Sequence, residues 1–151
     1  MTKTKKRMSL CVSLLIAVLA FIWGNSLRTG EESGAMSGGI LQWINTFLHL
    51  DETGAEKLHF AIRKMAHFTE FACLGLLLTW LFGMMGEKKG HLFCMPLLFG
   101  MMAACVDETI QVFVPNRGPS PVDIWIDTAG VTAGITFLLV GYNYIRKHNQ
   151  S

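Results

Sequence analysis

Residues 92–114 read LFCMPLLFGMMAACVDETIQVFV. An apolar run of about 20 residues is long enough to cross the hydrocarbon core of a bilayer as one helix. This run nevertheless carries Asp107, Glu108 and Gln111 towards one end. Ionisable groups inside a bilayer are costly, and they usually face the interior of a helix bundle. The stretch therefore predicts a membrane helix that packs around a polar site.

Three further apolar runs accompany it, at about residues 8–25, 62–85 and 122–142. The chain is 51% hydrophobic and 16% charged, with a mean hydropathy of +0.38. These values exclude a disordered chain, and soluble domains carry more charge, about 25%. We predict an all-α membrane protein with one domain over residues 1–151, folded as a four-transmembrane-helix bundle.

The first run could be mistaken for a signal peptide, because it follows a basic start. The residues after it, WGNSLRTGE, offer a poor small-residue cleavage site. We therefore expect it to remain as a membrane helix.

Basic residues cluster at both ends of the chain and in the turn between the second and third runs. They are Lys3, Lys5, Lys6, Arg7, Lys88, Lys89, Arg146 and Lys147. The positive-inside rule then places both termini in the cytoplasm. An even number of spans requires the same arrangement, and we interpret the basic start as a topology signal, with no nucleic-acid partner.

Residues 26–61 form a long outer loop in this topology. Its Gly- and Ser-rich start, NSLRTGEESGAMSGG, predicts irregular backbone. Apolar residues then recur at helical spacing, at Ile40, Ile44, Phe47 and Leu48, with Trp43 nearby. Such a helix lies either in the outer membrane interface or against the bundle, and the pattern leaves both open.

Helix boundaries are also marked in this sequence. Thr53–Glu56 has the form of a capping box, which predicts that the second membrane helix begins near Gly54. Pro115, Pro119 and Pro121 are expected to end the third membrane helix and to start the fourth. The four cysteines lie inside the spans at no zinc-binding spacing, so we predict no disulfide framework.

Polar residues within three spans predict a single site. A rise of about 1.5 Å per residue puts Glu70, Asp107 and Asp127 each about 21 to 22 Å from the inner ends of their helices. Helical spacing aligns further polar residues with these acids. Gly130 and Gly134 form a GxxxG motif that lets a neighbouring helix approach closely. The predicted site comprises Lys64, His67, Glu70, Asp107, Glu108, Gln111, Arg117, Asp123 and Asp127.

Two segments carry a family resemblance: RKMAHFTEFACLG at residues 63–75 and DETIQVFVPNRGPSPVDIWIDTAGVTAG at residues 107–134. Together they resemble the VanZ-like family of small bacterial membrane proteins. Their matching positions are Lys64, His67, Asp107, Glu108, Gln111, Arg117, Asp123 and Gly130. Members often carry Asn at the position of Asp127, and serines after the first span, to which Ser26 and Ser33 loosely correspond. The resemblance implies a multi-pass protein of the bacterial cytoplasmic membrane. It also implies a link to teicoplanin resistance or cell-envelope homeostasis, and it leaves the reaction open.

Three functions remain open for the site. It can bind a lipid-linked or lipidated ligand at the outer leaflet, such as a cell-wall lipid intermediate or the lipoglycopeptide, with Lys64, Arg117 and protonated His67 contacting an anionic group. It can lock the helices together as a purely structural network, with His67 paired to Asp107 or Glu108 and Arg117 above the acids. Membrane lipid is a partner in every case, and the oligomeric state is not indicated.

The third function is an enzyme. His67 would act as general acid or base on a lipid-borne ester or phosphate, oriented by Glu70 or Asp107, with Glu108 as a further catalytic candidate. The other histidines, His49, His59, His91 and His148, are expected in loops or at helix ends. One histidine among acids does not favour zinc, and no nucleotide-binding motif is present, so we predict no metal and no cofactor.

Overall fold

A computed structural model describes residues 2–88, 90–118 and 120–148, excluding the side chains of residues 145 and 146. Within this part all regular structure is helical. The helices are α1 (Lys3–Ser26), α2 (Gly30–Leu48), α3 (Glu52–Met84), α4 (His91–Val112) and α5 (Pro121–His148). Lys89, Pro119 and the side chain of Arg146, for which roles were predicted, lie outside it.

Four of these helices, α1, α3, α4 and the Pro121–Tyr144 part of α5, are long and apolar enough to cross a membrane. They coincide with the four predicted spans, although α3 starts about three turns earlier than residue 62. Its 33 residues correspond to about 50 Å at 1.5 Å per residue. Because the hydrocarbon core is about 30 Å thick, part of α3 must extend beyond it.

Helix α2 corrects the prediction of irregular backbone after the first span. It begins at Gly30, and Thr29 and Glu32 form a capping box in which each side chain accepts the other residue's backbone N–H. The Gly30 N–H also donates to the Pro115 carbonyl at 3.3 Å. Capping and this tertiary contact outweigh the weak helix propensity of the Gly- and Ser-rich segment.

The capping box predicted at Thr53–Glu56 is wrong. Helix α3 begins at Glu52, and its N-cap is Asp51, whose carboxylate accepts the Gly54 N–H at 3.0 Å. Asp is as good an N-cap as Thr, so the sequence offered two competing caps within three residues. The predicted start near Gly54 is displaced by only two positions.

Close backbone contact joins α3 to α5. A Cβ atom added to Gly130 would lie 2.4 Å from the Phe68 carbonyl oxygen, and one added to Gly134 would lie 2.0 Å from that of Ala72. The close approach predicted from the GxxxG motif is therefore confirmed. This contact brings the polar faces of the two helices together, and a buried apolar cluster that includes Phe71 and Val131 lies beside it.

All four cysteines are free. Cys11 is buried, and its thiol donates to the Leu77 carbonyl at 3.5 Å. The other three are exposed on the outside of the bundle, as are many large apolar side chains, among them Ile16, Phe99 and Phe137. An apolar outer surface is what lipid-facing helices require.

Candidate functional site

Five of the nine predicted site residues are buried where α3, α4 and α5 meet. They are Asp107, Glu108, Gln111, Asp123 and Asp127. Asp107 and Asp127 are 0% exposed. The structure thus brings together residues that are separated by up to 20 positions in sequence, as their similar predicted depth requires.

Asp107 is held by neutral donors from two helices. Its Oδ1 accepts a 2.6 Å hydrogen bond from the hydroxyl of Ser26, at the end of α1, and its Oδ2 accepts one of 3.0 Å from Gln111 Nε2. Hydrogen bonds from neutral groups stabilise a buried carboxylate without cancelling its charge. Ser26 is 1% exposed. The family resemblance gave this residue only a loose correspondence to the family serines, because a position at a helix end does not reveal a partner in space.

The side chain of Glu108 is directed towards the start of α5. Its Oε2 accepts the backbone N–H of Ser120 at 2.8 Å, immediately before α5, and its Oε1 accepts from Gln111 Nε2 at 3.3 Å. Adjacent residues on a helix are about 100° apart, and this rotation directs Asp107 to His67 and Glu108 to the start of α5. Of the two alternative partners predicted for His67, Glu108 is therefore directed to a different segment.

His67 lies between two acids. Its Nδ1 is 3.6 Å from Asp127 Oδ1 and 4.0 Å from Asp107 Oδ2, so both carboxylates are within ion-pair distance. Neither contact is a hydrogen bond, and His67 Nδ1 and both Asp127 oxygens have no hydrogen-bond partner among the described residues. The predicted pairing with Asp107 is found, and Asp127 is nearer still.

Glu70 and Lys64 occupy either side of this centre on α3. Glu70 Oε1 accepts a 3.1 Å hydrogen bond from Asn25 Nδ2, which ties α1 to α3. Lys64 forms an ion pair with Asp123 and lies 4.9 Å from the centre of the Phe60 ring. Lys64 is therefore already paired within the protein, and Glu70 contacts Asn25 in preference to His67.

Arg117 connects the outer ends of the helices. Its guanidinium donates to the carbonyls of Asn25 and Arg28, at 2.9 and 3.1 Å, and to Gln111 Oε1 at 3.3 Å. Burial lowers the pKa of this guanidinium from its usual value, and Arg63 adds to the effect. Arg117 was predicted to lie above the acids, and it reaches them through Gln111.

A cavity of about 150 Å³ opens beside His67 and Glu70. Three arginines, Arg28, Arg63 and Arg117, line it from the α1–α2 link, α3 and the α4–α5 link. The other lining residues are Asn25, Ser33, Met36, Ser37, Ile40, Ile62 and Ala66. No role was predicted for Arg28 or Arg63 from the sequence, because linear spacing could not place them on one cavity.

Helix α2 covers one side of this cavity and packs on α3. The hydroxyl of Ser37 is 2.6 Å from His59 Nε2, and Ser37 is the one described residue of α2 that is buried. The expectation that His59 lies in a loop or at a helix end is wrong, since it lies within α3. On α2, Ile40, Trp43 and Phe47 remain exposed.

Four helices able to cross a membrane, with a buried polar cluster between them, define a multi-pass membrane protein. A model of the VanZ/LLP1 family matches residues 11–142. The chain therefore belongs to the VanZ/LLP1 family, as the sequence motifs indicated. Comparison with curated proteins and with solved structures found no match.

Proposed function

We propose that the cavity binds the anionic head group of a lipid-linked or lipidated ligand at the outer leaflet of the bacterial cytoplasmic membrane. The observation that carries this proposal is the convergence of Arg28, Arg63 and Arg117 on one cavity. Arginine is suited to phosphate and carboxylate because its planar guanidinium donates two parallel hydrogen bonds. Three such groups, supplied by separate segments, favour a phosphate-bearing ligand.

The apolar surroundings of the cavity suit a ligand with a lipid tail. Met36, Ile40 and Ile62 line it beside the arginines. Trp43 and Phe47 continue the exposed apolar face of α2, and aromatic side chains favour the membrane interface. We place α2 in that interface, with both termini cytoplasmic, so that a lipid tail leaves the cavity sideways.

In this proposal the protein contributes to glycopeptide resistance of the teicoplanin type, or to cell-envelope homeostasis, by holding such a ligand. Candidate ligands are a lipid-linked wall precursor and the lipoglycopeptide itself. Both combine an apolar chain with polar or anionic groups. Lys64, predicted from the sequence to contact the ligand, forms an ion pair with Asp123.

A second candidate function is catalysis on a lipid-borne ester or phosphate, and the position of His67 favours it. The ring borders the cavity while its Nδ1 is buried against Asp127 and Asp107. A carboxylate at one ring nitrogen orients an imidazole for proton transfer at the other. Nε2 would then act as general acid or base towards a bound head group.

Direct binding to purified protein in lipid nanodiscs tests the head-group proposal. Wild type is titrated with lipid-linked wall precursor and, separately, with teicoplanin. Arg63→Gln removes one cavity guanidinium, and we expect it to weaken binding about tenfold or more, because charge-assisted hydrogen bonds contribute about 1.5–3 kcal/mol. Lys57→Gln removes a positive charge from an exposed position of α3 and should bind as wild type. Absence of binding to folded wild type would overturn the proposal.

A further inference from the structure

Three potential metal ligands converge from three helices. His67 Nδ1 on α3, an Asp107 oxygen on α4 and an Asp127 oxygen on α5 all lie within 4.8 Å of one another. The histidine is partly buried and both aspartates are fully buried. Each residue offers one atom, and a mononuclear site with three protein ligands is built from such a group of neighbouring atoms.

A second observation points to a missing ligand at this place. Both oxygens of Asp127 are buried and make no hydrogen bond, and neither does His67 Nδ1. Buried polar groups nearly always have a partner, so each exception needs an explanation. Here the unsatisfied atoms belong to two of the three converging residues, and they face each other across 3.6 Å.

The positive charge of a protonated imidazole alone does not neutralise the negative charge of this cluster. If protonated, His67 supplies one positive charge, and two buried carboxylates lie within 4.0 Å of it. Asp107 also has Ser26 and Gln111 as donors, whereas Asp127 has no donor at hydrogen-bond distance. A divalent cation would neutralise both carboxylates and accept the free electron pair of a neutral imidazole.

We propose that His67, Asp107 and Asp127 bind one divalent metal ion. Ligands at about 2.1 Å from a common ion lie roughly 3 to 3.5 Å apart. The separations from His67 Nδ1, 3.6 and 4.0 Å, are a few tenths of an ångström longer, and a bound ion would draw the three atoms, which now lie within 4.8 Å of one another, closer together. From the sequence, a lone histidine among acids did not indicate a metal, and the convergence of the three helices supplies the missing geometry.

The chemistry of the three ligand atoms indicates which metal ions the site would bind. One imidazole nitrogen and two carboxylate oxygens match zinc or manganese, because imidazole favours zinc and carboxylates favour manganese or magnesium. Three protein ligands leave at least one coordination position for water or for a ligand atom. The metal site does not require a ligand in the cavity. A negative result for one of the two proposals therefore does not contradict the other.

Metal content of the purified full-length protein tests the site. Protein in detergent is stripped with a chelator, dialysed against micromolar zinc chloride or manganese chloride, and analysed by mass spectrometry of the elements. We expect one ion per wild-type chain and at least about tenfold weaker binding for Asp127→Asn. Glu56→Gln removes an acid from an exposed position of α3 outside the cluster, and it should retain the ion.

A measurement on the wild type alone keeps the test decisive if Asp127→Asn fails to fold. Pulsed electron paramagnetic resonance of bound manganese should show coupling to an imidazole nitrogen, which His67 supplies. Wild type that binds no ion after dialysis would overturn the site. So would manganese without nitrogen coupling, or a folded Asp127→Asn variant that retains the ion as tightly as wild type.

Discussion

The hydroxyl of Ser26, the last residue of α1, donates a 2.6 Å hydrogen bond to Asp107 in the middle of the buried cluster on α4. Both residues are almost completely inaccessible to solvent. This bond attaches the first membrane helix to the polar centre formed by the other three. It also means that the end of α1 helps to determine where the Asp107 carboxylate lies.

Ser26→Ala is therefore expected to destabilise the protein. Removing the donor leaves one buried carboxylate oxygen without that partner, at a cost of about 1–3 kcal/mol. Unfolding in mixed detergent micelles measures the change. Ser13→Ala, on an exposed position of the same helix, should unfold as wild type, and equal stability of the two variants would contradict the role of this bond.

Gly134→Ala should separate α3 from α5. The new Cβ atom would lie 2.0 Å from the backbone oxygen of Ala72, which cannot move as a side chain does. Overpacking of this kind costs about 1–3 kcal/mol, occasionally more. The midpoint of thermal unfolding in detergent should fall.

Gly141→Ala is the matched control for this substitution. It lies on the same helix with no heavy atom within 4 Å of an added Cβ atom. Alanine favours helix over glycine by about 1 kcal/mol, so this variant should be at least as stable as wild type. A similar loss of stability in both variants would show that close packing is not the cause.

The spans and the buried polar cluster could be predicted from sequence because both follow from the cost of polar groups in lipid. Asp107 and Asp127 stand out in apolar runs, and helical rise alone puts them at one depth. Their partners could not be predicted, since periodicity gives a face of a helix and not the neighbour it meets. Thus His67 pairs with Asp127, and Glu108 contacts the backbone of Ser120.

The outer segment was harder to predict for a related reason. Its glycines and serines are typical of loops, yet Thr29 caps a helix there, and a contact from Gly30 to Pro115 fixes its start. That contact joins residues far apart in the chain. Arg28 lies in this poorly predicted region, which is why its place on the cavity was missed.

Lys64 and Asp123 should show energetic coupling in a double-mutant cycle. They form a partly buried ion pair between α3 and α5, with side chains 21% and 11% exposed. Residues in direct contact of this kind couple by about 0.5–3 kcal/mol. The free energies of unfolding of Lys64→Met, Asp123→Asn and the double variant give the coupling energy. Strictly additive effects would show that this ion pair does not stabilise the protein.

Glu108→Ala should loosen the start of α5. The carboxylate accepts the Ser120 N–H at 2.8 Å, and without it this amide loses its partner. Hydrogen exchange followed by mass spectrometry should show faster exchange in the peptide that contains Ser120. Glu108→Gln keeps an acceptor oxygen in place, so its exchange should stay closer to wild type, and identical exchange in both variants would rule out this contact as the cause.

His67→Ala should abolish any resistance or lipid-turnover phenotype that the wild-type chain confers. His67 borders the cavity and is the residue common to the head-group, catalytic and metal proposals. Growth in teicoplanin, with membrane expression checked by immunoblot, measures the loss. His49→Ala is the control, because His49 is exposed at the end of α2 and should leave the phenotype intact. If a well-expressed His67→Ala strain keeps full resistance, the buried polar cluster serves to hold the helices together, and the phenotype arises elsewhere in the protein.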